Sequence, residues 1–357
     1  MFDTFCLSSK LLKNFIGHGN YVNSIDCLTF NDDQFICSAS SDGTVRVWDV
    51  KTSKQIQLFN GHSLPVYCVK FSQYHHYSNH FNVICSSSDD KTIRFWDFKH
   101  NKQLQIFNEH TGTVCCIEFS SFSGGKYLCS GSEDKTIRLW DVETSKSLHV
   151  FNGHTDIVRC VDISPLQNNN NSNDNKSNSI GMIGGNGYTI CSGSWDKTIR
   201  IWDIETTKQL IVFNGHEHHI NSVKFGSNEL VNIILSGSDD KSIRLWDIRS
   251  GQQIRLFNGH TSYVCAVEYS PFIVNNNEIG GSSSVICSGS WDNSIRFWDI
   301  RSNKKELYVI NESNNGYNEI LCLKFLQIKK NRKDNNDGGC SINLCYGSIN
   351  GLIHIWG

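Results

Sequence analysis

Proline is scarce in this sequence, and neither sign of charge predominates. Only 3 of the 357 residues are proline, so the breaks between regular elements must come mainly from Gly, Asn, Asp and Ser. Lys and Arg total 33 against 35 Asp and Glu, whereas general nucleic-acid binders normally carry a basic excess. We therefore expect no specific nucleic-acid partner.

Long apolar stretches are also missing. No run of about eighteen apolar residues occurs, so we expect no membrane-spanning helix. The first residues lack the basic start, apolar stretch and small-residue cleavage site of a signal peptide. We therefore expect an intracellular protein, cytoplasmic or nuclear, whose 15 cysteines are not a disulfide framework. Because no Cys-x-x-Cys pair occurs, we expect no zinc site built from cysteines, and no cofactor is indicated.

What the sequence does contain is a quartet of residue types repeated at fixed spacing. In each of six units an Asp lies six residues before the Trp of a Trp-Asp pair, and a Ser lies four residues before that Asp. The next His follows each Trp by 14 residues wherever another unit follows with its own His. The quartets, each in the order His, Ser, Asp, Trp, are His18, Ser38, Asp42, Trp48; His62, Ser86, Asp90, Trp96; His110, Ser130, Asp134, Trp140; His154, Ser192, Asp196, Trp202; His216, Ser236, Asp240, Trp246; and His260, Ser288, Asp292, Trp298.

Each unit reads as four short strands. The segments are rich in β-branched and aromatic residues and are separated by turn formers such as Ser-Asp-Gly and Asp-Asp-Lys. Four strands in a unit of about forty residues are typical of a propeller blade. The pattern resembles the WD-repeat family over nearly the whole chain. The resemblance implies an all-β propeller with four antiparallel strands in every blade.

The last part of the sequence predicts a seventh, degenerate unit. It keeps Trp356 but has Tyr346 in place of Ser and Asn350 in place of Asp, and it ends before a fourth strand. Leu11–His18 aligns with the fourth-strand segment of the first unit, Gln55–His62. We therefore expect one seven-bladed propeller over residues 1–357, in which the N-terminal strand completes the last blade and covers its open edge.

Length varies only between the first and second strands of a unit. The longest insertion is the low-complexity, Asn-rich segment 167–187 in blade 4, and the others are Gln73–Asn82, Phe272–Ser284 and Lys329–Gly339. Asn-rich polar tracts bury too little apolar surface to offset the entropy of ordering, so we expect mobile loops.

The repeated quartet could suggest a hydrolase, since Ser, His and Asp form hydrolase triads. Six copies at fixed spacing favour a structural interpretation instead, and the family resemblance implies a hydrogen-bonded chain of Trp, Ser, His and Asp. No unrepeated set of nucleophile and base stands out in the sequence, so we do not expect an enzyme. Most cysteines share one of two slots per unit with Leu, Ser or Ala, which is typical of packing roles.

Positions that vary among units are the candidates for function. Three of them, at three and five residues after the His and one before the quartet Asp, belong to turns on one face of a propeller, and the resemblance implies that such positions contact ligands. The candidate partner-binding residues are Tyr21, Tyr67, Asp89, Glu133, Arg159, Trp195, His219, Asp239, Tyr263 and Trp291. The acidic members, with Glu319, outnumber Arg159, which favours a partner peptide that contains Lys or Arg.

Two functions are compatible with this pattern. The first is a non-catalytic scaffold that binds other proteins on the face with the variable residues. The second is a substrate receptor of a cullin-type ubiquitin ligase, because receptors of that class often carry Trp-Asp-x-Arg and this sequence has the motif twice. Arg249 and Arg301 would then bind the ligase adaptor.

Overall fold

Each sequence unit forms one four-stranded antiparallel sheet, and seven such sheets form a propeller. The protein is seen in a computed structural model, which describes residues 2–30, 33–77, 82–121, 124–164, 188–227, 230–275, 282–302, 306–311, 318–329 and 340–357. The predicted fold class is confirmed. The Asn-rich insertion 167–187 lies outside the described residues.

The elements follow one another in the order of the blades. The chain begins with α1 (Phe2–Ser8) and β1 (Leu11–Phe15). Blade 1 has β2 (Val22–Phe30), β3 (Asp33–Ser40), β4 (Val45–Asp49) and β5 (Lys54–Phe59). Blade 2 has β6 (Val66–Phe71), α2 (Gln73–Tyr77), β7 (Val83–Ser88), β8 (Ile93–Asp97) and β9 (Lys102–Phe107). Blade 3 has β10 (Val114–Phe119), β11 (Tyr127–Ser132), β12 (Ile137–Asp141) and β13 (Lys146–Phe151).

The second half of the chain repeats this order. Blade 4 has β14 (Val158–Ile163), β15 (Thr189–Ser194), β16 (Ile199–Asp203) and β17 (Gln209–Phe213). Blade 5 has β18 (Ile220–Phe225), β19 (Ile233–Ser238), β20 (Ser242–Asp247) and β21 (Gln252–Asn258). Blade 6 has β22 (Val264–Asn275), β23 (Ser282–Ser290), β24 (Ser294–Asp299) and β25 (Tyr308–Asn311). Blade 7 has β26 (Ile320–Lys329), β27 (Cys340–Ser348), β28 (Ile353–Trp356) and, as its outer strand, β1.

The core lies between neighbouring blades. The second strand of a blade is buried on both faces, as in β7, because it lies in the middle of its sheet and is covered by the next sheet. One representative cluster joins Cys37 and Val47 of blade 1 to Val69, Ile84 and Trp96 of blade 2. The cysteines that precede the quartet Ser, or Tyr346 in its place in the seventh unit, are all fully or almost fully buried, as expected for an apolar slot: Cys37, Cys85, Cys129, Cys191, Cys287 and Cys345.

The quartet forms a hydrogen-bonded chain in each of blades 1 to 6. In blade 3, Trp140 Nε1 donates to Ser130 Oγ at 2.8 Å, the Ser130 hydroxyl contacts His110 Nε2 at 2.8 Å, and His110 Nδ1 contacts Asp134 Oδ2 at 2.7 Å. A neutral imidazole has a single N–H, and the carboxylate can only accept, so Nδ1 donates to Asp134 and Nε2 accepts the proton of the Ser130 hydroxyl, whose oxygen also accepts from the indole. The corresponding contacts in the other five blades span 2.7–3.0 Å.

The hydrogen bonds of the quartet also fix the charge of its aspartate. Burial by itself would raise the pKa of Asp134, but the hydrogen bonds from His110 and from the Thr136 hydroxyl outweigh it and hold that pKa well below its ordinary value. The buried polar groups are therefore paired, which supports the structural interpretation of the quartet.

The N-terminal strand closes the ring as predicted. β1 pairs antiparallel with β28, with Lys13 opposite Ile355 and Phe15 opposite Ile353. Phe15 is buried at this seam, and His354 Nδ1 lies 2.7 Å from Asn14 Oδ1. Because β1 pairs along β28, the outer edge of blade 7 is covered, and the two ends of the chain are held together in one sheet.

Two features of the fold differ from the sequence-based expectation. The chain starts with helix α1, which was not predicted from the sequence. The buried Phe2 and Phe5 of this helix pack against Phe272 and Phe297. Two insertions expected to be mobile loops also hold regular structure, because α2 opens one and β22 continues through Phe272 into another. The continuation of β22 into the insertion of blade 6 is explained by Phe272, which packs in an apolar cluster with Phe2, Phe5 and Phe297.

Candidate functional site

One backbone hydrogen bond repeats on the same face of all seven blades. The backbone N–H of the residue before the quartet Asp donates to the backbone carbonyl of the residue three positions after the His. In blade 4, for example, Trp195 N donates to Ile157 O at 2.9 Å. The other six donor–acceptor pairs are Ser41–Tyr21, Asp89–Pro65, Glu133–Thr113, Asp239–His219, Trp291–Tyr263 and Ile349–Glu319. Because the backbone is equivalent in every blade, the turns do not require any particular side chain, and these positions are free to differ.

The variable side chains surround a depression at the centre of this face, with a volume of about 450 Å³. Eight of the ten predicted partner-binding residues line it: Tyr67, Asp89, Glu133, Arg159, Trp195, Asp239, Tyr263 and Trp291. Tyr21 and His219 lie outside the lining. Thr113 and Ile157, three residues after the His of their units, and Asn221, five residues after its His, occupy the variable positions named from the sequence, and they also line the depression.

Aromatic side chains form one side of the depression. Trp195 of blade 4 stacks on His219 of blade 5, with ring centroids 4.6 Å apart and an angle of 7° between the planes. Tyr263 and Trp291 of blade 6 contact each other at 5.3 Å, and each is 38% exposed. Trp195 thus packs on a neighbouring blade in addition to lining the depression, whereas Trp291 packs on Tyr263 of its own blade and is partly exposed.

Trp195 has an unusual polar environment. Its indole Nε1 is buried and has no hydrogen-bond acceptor among the described residues. An unpaired buried donor costs about 1–3 kcal/mol, so the indole N–H itself does not stabilise the fold. Other blades have Ser41, Asp89, Glu133, Asp239, Trp291 or Ile349 at this position.

Two carboxylates share one hydroxyl on the other side of the depression. The Thr113 Oγ1 lies 2.5 Å from Asp89 Oδ1 and 2.7 Å from Glu133 Oε2, so blades 2 and 3 meet at this contact. The Thr113 hydroxyl has a single proton and can donate to only one carboxylate at a time. The second carboxylate therefore lacks that donor, and two negative charges are held close together.

One guanidinium lies among these groups. The Arg159 Cζ lies 5.4 Å from the centroid of the Tyr67 ring, within the range of a cation–π contact. Burial raises the pKa of Tyr67 and raises the pKa of Cys115 to about 11, so both groups stay protonated near neutral pH. Burial also raises the pKa of Cys265. These thiols are therefore poor nucleophiles, and catalysis by them is not favoured.

Below the depression the central channel becomes narrow and charged. A layer of small side chains, among them Cys68, Cys116 and Cys160, is followed by one charged residue from each of blades 2, 3, 5, 6 and 7, and blades 1 and 4 have an Asp at the equivalent strand position. These are Asp26, Lys70, Glu118, Asp162, Lys224, Glu268 and Lys324. Lys70 Nζ lies 2.6 Å and Lys224 Nζ 3.5 Å from Glu118 Oε2, and Lys324 Nζ lies 3.5 Å from Glu268 Oε2. We call these seven side chains the channel ring.

Comparison with known families decides where the chain belongs. A model of the WD40 family, described as "WD domain, G-beta repeat", matches residues 9–49, 53–97, 101–141, 145–203, 207–247 and 251–299, which together make up most of the chain. The protein is a member of the WD40-repeat family. WD40 propellers generally act as non-catalytic scaffolds that bind other proteins. The three strands of blade 7 that carry the degenerate quartet lie outside the matched ranges, whereas its outer strand β1 lies within the first match.

The chain is similar to two known proteins over short stretches. The chain is 43% identical over 56 residues to the Polycomb group protein FIE1 of Oryza sativa subsp. japonica, which covers 16% of this chain and 15% of that protein. It is 47% identical over 47 residues to the ribosome biogenesis protein YTM1 of Saccharomyces cerevisiae, which covers 13% of this chain and 10% of that protein. The matches span only a small part of these relatives, and nothing in them supports a ubiquitin-ligase receptor.

The two Trp-Asp-x-Arg motifs of this WD40 propeller lie on the face opposite the depression, at the turns between third and fourth strands. Arg249 and Arg301 are both exposed there. When the amide of Asn232 is oriented with its oxygen toward Arg249, that oxygen accepts from Nη2 at 2.9 Å and from Nε at 3.1 Å. Arg249 is thus already engaged within its own blade. In the described part of the chain no helix has the length and hydropathy needed to cross a membrane.

Sequence analysis missed the channel ring, although a signal for it was present. In the six units with a His, the residue eight positions after it is always charged, and it stands in a first strand between mostly apolar neighbours. A charge at the same point of every blade has no place in a purely apolar core, so it indicates a shared polar channel. The Asp89–Thr113–Glu133 contact was missed because it joins two blades.

Proposed function

We propose that the protein is a non-catalytic scaffold that binds a Lys- or Arg-containing segment of a partner protein in the central depression. The observation that carries this proposal is the pair of carboxylates at Asp89 and Glu133, which compete for one proton donor on Thr113. An ammonium or guanidinium group from a partner would supply the missing donors and positive charge.

The charge balance of the depression supports the same kind of ligand. Among the described residues that line it, the carboxylates are Asp89, Glu133 and Asp239, and the only Lys or Arg is Arg159. Arg159 already contacts the ring of Tyr67. A cationic side chain is therefore attracted into the depression, while an acidic segment is repelled.

The aromatic side of the depression suits the rest of a Lys or Arg side chain. The apolar stem of such a residue packs well on a ring, and its charge is stabilised over the ring face. Trp291 is 38% exposed and belongs to a blade that does not need a tryptophan at this position. Exposed aromatic residues of this kind often dominate binding energy at interfaces, with truncation costing about 2–4 kcal/mol.

An array of immobilised peptides tests the proposal directly. The array holds peptides with Lys or Arg beside copies that have Gln at those positions, and it is probed with the full-length protein. We expect the wild type to prefer the Lys and Arg peptides, and Asp89→Asn with Glu133→Gln or Trp291→Ala alone to reduce that binding.

Glu143→Gln with Glu205→Gln is the matched control, because it removes the same two charges from exposed residues on the opposite face. This control should bind as the wild type does. Equal binding to the Gln copies, or equal losses in the control and in the Asp89 and Glu133 double variant, would contradict the proposal.

The ligase-receptor hypothesis stays a prediction with its own test. Exposure of Arg249 and Arg301 is compatible with an adaptor contact, although Asn232 already holds Arg249. Copurification with the ligase adaptor that is lost in Arg249→Ala with Arg301→Ala would support it. No copurified adaptor, or an adaptor that is retained by the double variant, would refute it.

A further inference from the structure

Three potential metal ligands meet on the rim of blade 5. His218 and His219 immediately precede β18, and Asp239 follows β19 directly. The backbone hydrogen bond from Asp239 N to His219 O, 2.9 Å long, fixes the two turns against each other. One ligand atom from each of the three side chains lies within 4.8 Å of the other two.

The distances within this group do not fit hydrogen bonds. Asp239 Oδ2 lies 3.5 Å from His218 Nδ1 and 3.3 Å from His219 Nδ1. In the same blade the quartet contact between His216 Nδ1 and Asp240 Oδ2 is 2.7 Å, as expected for a charge-assisted hydrogen bond. The longer contacts instead match the spacing of two ligand atoms around one tetrahedral ion, about 3.4 Å for bonds of about 2.1 Å.

Neighbouring side chains hold two of the three ligands in place. Asn221 Nδ2 donates to Asp239 Oδ1 at 2.7 Å, which leaves Oδ2 directed toward the histidines. The stacked ring of Trp195 restrains His219 at 4.6 Å. Contacts of this kind commonly orient metal ligands and raise the affinity of a site. The histidine side chains are 51% and 30% exposed, so an ion can reach them from solvent.

We propose that His218, His219 and Asp239 bind a divalent transition-metal ion of the zinc class. Two imidazole nitrogens and one carboxylate oxygen suit Zn²⁺, whereas Mg²⁺ and Ca²⁺ prefer sites made of oxygen ligands. Three protein ligands leave a fourth position of a tetrahedral ion for water or for a donor from a partner. The site shares only Asp239 with the lining of the depression, and binding of the metal alone is independent of the proposed peptide partner.

The chain offers a matched control for this site. His100 Nδ1 lies 2.6 Å from Asp97 Oδ2 on the opposite face, and the His100 side chain is 66% exposed. Among the described residues, this pair has one histidine and one carboxylate without a second histidine that could join them as a metal ligand. It therefore reports what an ordinary exposed His–Asp contact contributes to metal binding.

The test is calorimetric titration of the full-length protein with Zn²⁺. We expect one site per chain in the wild type and in His100→Gln, and at least tenfold weaker binding in His219→Gln and in Asp239→Asn. Circular dichroism and thermal melts confirm that each variant is folded. His218→Gln tests the other histidine, whose side chain is the more exposed of the two. Titration with Co²⁺ should give the visible absorption of a tetrahedral ion with nitrogen and oxygen ligands.

Three results would overturn the proposal. One is Zn²⁺ binding of equal strength in the wild type and in all three variants at His218, His219 and Asp239, and another is no Zn²⁺ binding by the wild type. The third is a sulfur-to-cobalt charge-transfer band in the Co²⁺ complex, which would assign the ion to cysteines.

Discussion

Glu118 bridges two lysines of the channel ring. Its carboxylate contacts Lys70 of blade 2 at 2.6 Å and Lys224 of blade 5 at 3.5 Å, so it joins blades across the channel. The three side chains are only 14–20% exposed. When Glu118 is replaced by Gln, Lys224 keeps a carboxylate partner, because Asp162 lies 3.8 Å from it. Lys70 instead loses the carboxylate with which it forms its ion pair. Substitution Glu118→Gln therefore affects Lys70 most.

The cost of this substitution follows from the burial of the remaining cation. Breaking a buried ion pair by removal of one partner costs about 3–5 kcal/mol, and the partial exposure of these side chains places Glu118→Gln near the lower value, about 3 kcal/mol. Replacing the second partner as well, in Glu118→Gln with Lys70→Met, removes the unpaired charge. The double variant should therefore recover part of the loss.

Urea denaturation followed by fluorescence measures both effects. Glu143→Gln in the same blade is the control, because Glu143 contacts Lys126 at 3.2 Å but its side chain is 57% exposed. It should leave the free energy of unfolding almost unchanged. Equal losses for Glu118→Gln and Glu143→Gln, or a double variant with fully additive losses, would refute the argument that the channel ring holds buried, coupled charges.

Three other predictions concern closure, the quartets and pH. Deletion of residues 1–16 should lower the melting temperature and promote self-association, because it removes β1 from β28; an unchanged, monomeric product would contradict the closure. Asp134→Ala should lower the free energy of unfolding by about 1–3 kcal/mol and Asn350→Ala by less, since Asn350 bonds only neighbours within the degenerate blade; equal losses in urea would contradict this ranking. Burial lowers the pKa of His354 to about 4 from 6.5, so the unfolded chain binds more protons and stability is lost as the pH falls through that window. His354→Gln should therefore lose less stability than the wild type between these pH values in denaturation experiments, and an identical pH dependence would show that His354 does not titrate as described.

The fold could be predicted from sequence because it repeats. Six quartets at fixed spacing reveal the blades, and the match of Leu11–His18 to a fourth-strand segment reveals the closure through β1. Helix α1 escaped prediction because it has no counterpart in any blade. Its Phe2 and Phe5 are buried against Phe272, in the insertion of blade 6, and against Phe297 of β24. Such a contact between distant segments has no local signature.

The positions of the site were predictable, but their contacts were not. A repeated backbone hydrogen bond places the variable residues on one face, and this follows from the periodicity. The stack of Trp195 on His219 and the shared Thr113 hydroxyl depend on how closely adjacent blades approach each other. That distance is set by the packing of the whole ring, and no single unit encodes it. Residue types therefore revealed the charge of the depression but not its hydrogen bonds.

The central claim is that carboxylates of the depression bind a cationic segment of a partner. The most direct measurement is the dissociation constant of the best array peptide, by fluorescence anisotropy at low and at high salt. We expect Asp89→Asn with Glu133→Gln to bind at least tenfold more weakly than the wild type and to show a smaller dependence on salt. An unchanged affinity and salt dependence in this double variant, with a change instead in Glu143→Gln with Glu205→Gln, would contradict the claim.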